Sequence, residues 1–393
     1  MSPVRVLAVC AVVCAVGCAG CGRQALVPGS AYPPAAAAAS GHGPASRTLA
    51  ITARWPQSGI LREDATASDA SQVLDPAAGV LFALVPATLA SADGPYALQA
   101  IDLRTGRMRH GASYPVSGLA LASGYLWVYG STGRGGHPVL DEADPGTLAM
   151  IRPVPVPGGS GVDAVAPGPA GSVWIGTDRM LLRMSAHTGA VLTRVALSAG
   201  LQLSDLAAGP GGRNVYASAW RLRPGGIAVL AYSAGHGTLL ARSDRVPLTW
   251  SVGWADLTAV PGGVWVWFRT GMLGVSALLS ARSLSVVATA AAVATSAANS
   301  PVTGHGTIYS WASGSASAYG GGTLWVATAG GLLACVNPAN GTVRAQEVVK
   351  SQQAQPVITL AADPPAHQLA AVIGTPGGHL GVVSITPPCL CWS

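Results

Sequence analysis

Gly171-Ser172-Val173-Trp174-Ile175-Gly176-Thr177-Asp178, running on to Leu181-Leu182-Arg183-Met184, is the stretch that decides how this chain folds. Its first half alternates around a tryptophan, as a half-buried strand does, and a second short apolar run follows. A Pro/Gly turn, Ala166-Pro167-Gly168-Pro169-Ala170-Gly171, leads in, and a Thr-Gly turn, His187-Thr188-Gly189, leads out. The phrase recurs. Aromatic anchors stand at Phe82, Trp127, Trp174, Tyr216, Trp265 and Trp325, spaced by 45, 47, 42, 49 and 60 residues. Ile373-Gly374-Thr375 copies Ile175-Gly176-Thr177 and puts Val372 at a seventh anchor, 47 residues after Trp325.

The turns keep the same register. Gly209-Pro210-Gly211-Gly212 and Pro261-Gly262-Gly263 precede anchor strands. Arg104-Thr105-Gly106, His236-Gly237-Thr238 and Asn340-Gly341-Thr342 follow later in their units. Glycine there supplies the positive φ of tight hairpins. A period of about 40–50 residues with four strand-sized pieces per unit predicts an all-β, seven-bladed β-propeller of four-stranded antiparallel blades. The last unit is one strand short, with strands expected near 357–361, 369–374 and 380–385 and a stop at Pro387-Pro388. The unused run Thr48-Leu49-Ala50-Ile51-Thr52-Ala53 is expected to pair with that last blade and close the ring.

Composition agrees. The chain has 393 residues with 51 Gly and 29 Pro, evenly spread, which disfavours long helices and favours short strands. Mean hydropathy is +0.42. Even so, no stretch after the leader reaches the roughly 18 apolar residues of a spanning helix. Net charge is +6, without Arg/Lys runs interleaved with aromatics, so nucleic acid is not an expected partner. Arginine far outweighs lysine, which with the Ala, Gly and Pro content suggests GC-rich codons and an actinobacterial source.

The repeat phrases carry a family resemblance. The Gly171–Met184 stretch resembles the repeat of sensor-type regulator propellers. Gly331-Leu332-Leu333-Ala334-Cys335-Val336-Asn337-Pro338-Ala339-Asn340-Gly341-Thr342-Val343 is similar to pyrroloquinoline-quinone-type and YVTN-type repeats. The likeness covers most of residues 47–386 and implies the propeller, but no particular activity, because these are blade-packing motifs. Quinoprotein dehydrogenases of this kind carry an adjacent Cys-Cys pair, which is missing here, so no cofactor is expected.

The N-terminus reads as an export signal. Arg5 gives a short basic region, residues 6–17 are apolar and uncharged, and small residues precede Cys18 and Cys21. Ala19-Gly20-Cys21-Gly22 resembles a bacterial lipobox, with Cys21 as the lipidated residue and Cys18 as the alternative. Residues 1–21 are thus the expected signal and 22–46 a disordered Ala/Pro/Gly/Ser tether. Residues 47–393 are the propeller. The expected place is the outer face of the cell membrane, with the chain anchored by lipid as a monomer. Outside the cytoplasm a disulfide is permitted, and Cys335 with Cys389 or Cys391 is the expected pair.

Three aspartates open expected inner strands: Asp163, Asp205 and Asp256, at 11, 11 and 9 residues before their anchors. In register they would converge on one mouth of the channel and suit a hard cation, Ca²⁺ or Mg²⁺, or a cationic ligand. The competing structural reading is that each caps its own turn. Arg221, Arg269 and Trp311 fall in loops expected at the same end, Trp311 within an insertion near 295–313. No nucleophile elbow, phosphate loop or paired-histidine spacing is present. The expected function is non-enzymatic binding of a protein, peptide or glycan at the upper face. The alternative is a metal-assisted lyase or hydrolase using the aspartate ring.

Overall fold

The computed structural model describes residues 50–55, 72–75, 78–86, 95–103, 105–116, 118–132, 137–158, 161–221, 226–244, 254–269, 275–291, 316–327, 332–341, 343–348, 357–363, 368–375 and 379–386. Every regular element among them is a β-strand. Strand β1 (Ala50–Trp55) comes first. The first blade follows: β2 (Gln72–Asp75), β3 (Val80–Pro86), β4 (Tyr96–Asp102) and β5 (Met108–Tyr114). The second is β6 (Gly118–Ala122), β7 (Tyr125–Thr132), β8 (His137–Ala143) and β9 (Met150–Pro153). The third is β10 (Ala164–Pro167), β11 (Ser172–Thr177), β12 (Met180–Ser185) and β13 (Val191–Ala196). The fourth is β14 (Leu201–Ala208), β15 (Asn214–Arg221), β16 (Ile227–Ser233) and β17 (Leu239–Ser243). The fifth is β18 (Trp254–Val260), β19 (Gly263–Arg269), β20 (Val275–Ser280) and β21 (Val286–Ala291). The sixth is β22 (Ala316–Gly320), β23 (Thr323–Ala327), β24 (Leu332–Val336) and β25 (Val343–Val348). Last come β26 (Val357–Asp363), β27 (Gln368–Thr375) and β28 (His379–Thr386).

Blades made from one unbroken run of chain number six, not seven, among the described residues. The remaining four-stranded sheet is composite, in the order β1-β28-β27-β26, and joins the two ends of the chain. Ala50 stands opposite Thr386 and Arg54 opposite Val383, antiparallel. The innermost strands touch in the order β2, β6, β10, β14, β18, β22, β26, and β26 touches β2. The sheets therefore form a closed propeller ring. Strand direction gives the ring two distinct ends. At the upper end each inner strand begins and each second strand stops. At the lower end lie the turns from first to second and from third to fourth strand.

The anchors pack between blades. Trp127, Trp174, Trp265 and Trp325 are fully buried. Trp174 lies against Leu203, Val215, Ala228 and Leu230 of the fourth blade, and Trp265 against Leu324 and Val336 of the sixth. Two indole N–H groups donate to a turn carbonyl of the next blade, Trp174 to Ala234 at 3.1 Å and Trp265 to Pro338 at 2.9 Å. Trp127 instead donates within its own blade, to Ala122 at 3.1 Å. Arg152 makes the crossing there, donating to Ala186 at 3.0 Å while buried Glu142 accepts from it at 2.8 Å. A buried indole or carboxylate without a partner would be costly, and the ring uses both to tie neighbours together.

The lower turns share one chemistry. The side-chain oxygens of Asp102, Asp144 and Ser185 accept from the backbone N–H of Thr105, Thr147 and Thr188 at 2.7, 2.7 and 3.2 Å. The next residue takes positive φ, glycine at Gly106, Gly189 and Gly341 but leucine at Leu148 (61°) and Leu284 (51°). A left-handed leucine costs about 1–2 kcal/mol. Burial of its side chain, worth about 1.5–3 kcal/mol, offsets that. Both leucines are buried in interblade cores. Gly111 makes the room, since a Cβ there would lie 2.6 Å from that of Leu148.

Candidate functional site

The upper end is where the repeat departs from itself. Two residues beyond each anchor, toward that end, the second strands carry Leu84, Tyr129, Gly176, Ser218, Trp267, Ala327 and Gly374. Small residues there admit neighbours: a Cβ on Gly176 would collide with Leu203. The polar members bond instead. Ser218 Oγ donates to the carbonyl of Ala255 at 2.9 Å, and Trp267 Nε1 donates to Thr258 Oγ1 at 3.0 Å. Thr258 in turn shares a hydrogen bond of 2.6 Å with Ser317, reaching the sixth blade. Trp265 and Trp267 stack with centroids 5.6 Å apart.

The three aspartates are not equivalent. Asp205 and Asp256 each stand two residues before the partner of the anchor, Ala207 opposite Tyr216 and Thr258 opposite Trp265. Asp163 stands three before Ala166, which is opposite Trp174, and so falls one residue out of register. Strand alternation then aims it differently. A bulge between Leu203 and Asp205 turns the Asp205 carboxylate toward backbone. Oδ1 accepts from Leu206 N–H at 2.7 Å, and Oδ2 accepts from Leu257 N–H of the fifth blade at 2.8 Å. Asp205 is therefore a staple between inner strands. Asp256 is half-buried opposite Trp267. Among the described residues no three His, Cys, Asp or Glu side chains gather as a metal ion would require.

Asp163 is the aspartate that faces solvent. Its backbone N–H donates to Gly176 at 2.8 Å, fixing it where β10 enters the channel mouth. There, protein atoms displace much of the water that would solvate its charge, although its tip is open. Desolvation, with the nearby Asp178 carboxylate adding to it, pushes its pKa up to about 6. Tyr129 faces the same place from the second blade. Burial raises its hydroxyl pKa above the ordinary range, and the charges of Asp205 and Asp163 raise it further. Gly118 lets the Tyr129 ring cross the inner strand, since a Cβ there would lie 2.6 Å from ring carbons. Tyr129, Asp163 and Asp178 thus stand around one acidic, hydroxyl-bearing recess between the second and third blades, in which Asp178 also faces Arg179 Nε at 3.8 Å.

Arg221 closes β15 at this end, but it is ion-paired with Asp244. Asp244 also accepts from Arg242 Nε at 2.8 Å, and Arg242 reaches Ser198 Oγ at 3.0 Å. Arg269 ends β19 opposite Trp254. Its side chain lies outside the described residues, as do Trp311, Cys18, Cys21, Cys389 and Cys391. Cys335 is buried on β24, opposite Trp325. Tyr129 is the residue that sequence reasoning missed. Its signal was present: a tyrosine at a place where four of the other six repeats keep glycine, serine or alanine.

No protein-family model matches the chain. No curated protein matches it by sequence either. Among solved structures, a chain of a crystal structure of the mitotic checkpoint complex superposes with a TM-score of 0.58 at 10% identity, covering 92% of this chain and all of that one. A looser likeness is to BamB from Moraxella catarrhalis, TM-score 0.45 at 14% identity, covering 78% of this chain and 79% of that one. At such identity the first likeness shows shared architecture: this chain has a β-propeller fold.

Proposed function

We propose that this chain is a non-catalytic binding propeller that takes a protein or peptide at its upper end, through a basic group of the partner. The observation that carries this reading is the recess of Asp163, Asp178 and Tyr129. It holds a solvent-facing carboxylate whose charge is incompletely solvated and gains from a cation placed beside it. Assembly of a like-folded chain in the mitotic checkpoint complex is in keeping with a scaffold role. The leader sequence supports export and lipid attachment at Cys21 or Cys18, at the outer face of a membrane, and the chain acts as a monomer.

The test is capture of arginine- and lysine-bearing peptides from a library by the full chain, at pH 7.5 and pH 5. Capture is expected to weaken at the lower pH, as Asp163 is protonated. Asp163→Asn with Asp178→Asn should weaken it at least tenfold, about 1.4 kcal/mol or more. Capture unchanged by both substitutions would remove the recess from the function.

A further inference from the structure

The lower rim carries a second feature. Among the described residues, the exposed large apolar side chains are Met150, Ile151, Leu192, Leu239, Leu240, Val286 and Val287, exposed by 39% to 58%. Scattered, such residues would need no explanation. They are not scattered. All seven occupy the first two positions of an outermost strand, β9, β13, β17 or β21, in four consecutive blades. Because every outermost strand begins at the lower end, they lie along one rim. The other outermost strands also open on apolar residues: Ala50, Met108 and Val343.

Charge accompanies this band. The seven outermost strands contain Arg54, Arg109, Arg152, Arg194, Arg242 and Arg344 against a single acid, Glu347. At strand rise these arginines stand ~3–13 Å above the apolar opening residues. That matches the offset between acyl boundary and headgroups at a membrane surface. On the second to fifth blades Arg152 and Arg242 are held by Glu142 and Asp244, whereas Arg194 is exposed and has no ion pair among the described residues. Topology supplies a second pointer. Strand β1 is also outermost and begins at Ala50, opposite Thr386, so the preceding chain joins the propeller at this same rim. Only 28 residues separate Cys21 from Ala50. A lipid at Cys21 would therefore hold this rim, before the recess, near the bilayer.

We infer that the lower rim of the second to fifth blades is a membrane seat. The apolar opening residues enter the interface of an anionic bilayer, Arg194 meets its headgroups, and the acidic recess faces away. The orientation rests on the lipid-anchored reading above; the apolar contact does not. Full chains carrying Cys18→Ser and Cys21→Ser isolate that contact. They would be sedimented with vesicles of equal parts phosphatidylglycerol and phosphatidylcholine, with and without Ile151→Ser, Leu192→Ser, Leu240→Ser and Val287→Ser. Both proteins keep the leader, so its contribution cancels, and equal melting temperatures establish an intact fold. The fourfold variant should partition at least tenfold less. In the parent, hydrogen exchange should slow at 150–151, 192, 239–240 and 286–287 on vesicles and stay unchanged at 178–179. Equal partitioning, or protection at the upper end, would overturn the seat. Protection appearing only with a protein added to the vesicles would overturn it too, assigning the rim to that protein. Loss of acylation, read from the mass of the N-terminal peptide of the unsubstituted chain, would overturn the anchor alone.

Discussion

The two ends of the ring follow opposite rules. At the lower end, Asp102, Asp144 and Ser185 perform one capping job in three blades, each with a side-chain oxygen accepting from the backbone N–H three residues on, at 2.7, 2.7 and 3.2 Å. At the upper end, equivalent places hold Tyr129, Gly176, Ser218 and Trp267, each with a different set of neighbours. Repetition marks where every blade must solve the same packing problem. Divergence marks where blades are released from it, and side chains there can serve a partner. The contrast predicts that lower-end substitutions cost stability alone, whereas upper-end ones beside the recess cost binding as well.

The largest expected effect is at Leu148. Leu148→Ala keeps the positive φ and removes the buried side chain that offsets it, so about 3 kcal/mol should be lost in denaturant unfolding. A loss below about 1 kcal/mol would mean that the turn does not lean on that burial. Gly118→Ala should come next, at about 2 kcal/mol, because the added methyl meets the Tyr129 ring and backbone. It would also show whether this upper-end glycine serves the recess, since peptide capture should fall with it.

Asp205→Ala removes the carboxylate that Leu257 N–H donates to at 2.8 Å, and about 1.5 kcal/mol should go with that staple. If peptide capture fell more than stability did, Asp205 would belong to the recess as well as to the frame. Smallest is Asp163. Its folded pKa, about 6, lies above the ordinary 3.8, so the native state holds the proton more tightly than the unfolded chain does. That contribution is fully present below pH 3.8 and is lost as pH rises through 6. Asp163→Asn should therefore gain on the parent across that window, by less than about 1 kcal/mol given solvent screening of a partly open group. Melting curves at pH 4 and pH 7 read the sign, and a reversed sign would mean that a cation already pairs with Asp163.

Much of the frame was legible in local sequence. The anchors at Trp127, Trp174, Trp265 and Trp325 marked second strands, and the spare run before the first blade marked the strand that joins β28. The aspartate triad was legible only as three residues at similar distances from three anchors. A bulge and a one-residue offset part them, and neither leaves a trace in spacing. The same holds for Arg221, whose ion pair with Asp244 spans 23 residues and two strands. Leu148 stood in a glycine's place, and nothing adjacent in sequence announced that Gly111 would make it fit.

By itself, then, the amino-acid sequence determined strand length, turn chemistry and the period, because these depend on φ preferences and on alternation over a few residues. Tertiary structure decided which carboxylate bonds backbone and which faces water, and it put seven separate apolar residues on one rim. Those outcomes depend on how blades meet, and contacts between blades join residues some 45 positions apart that no local pattern relates.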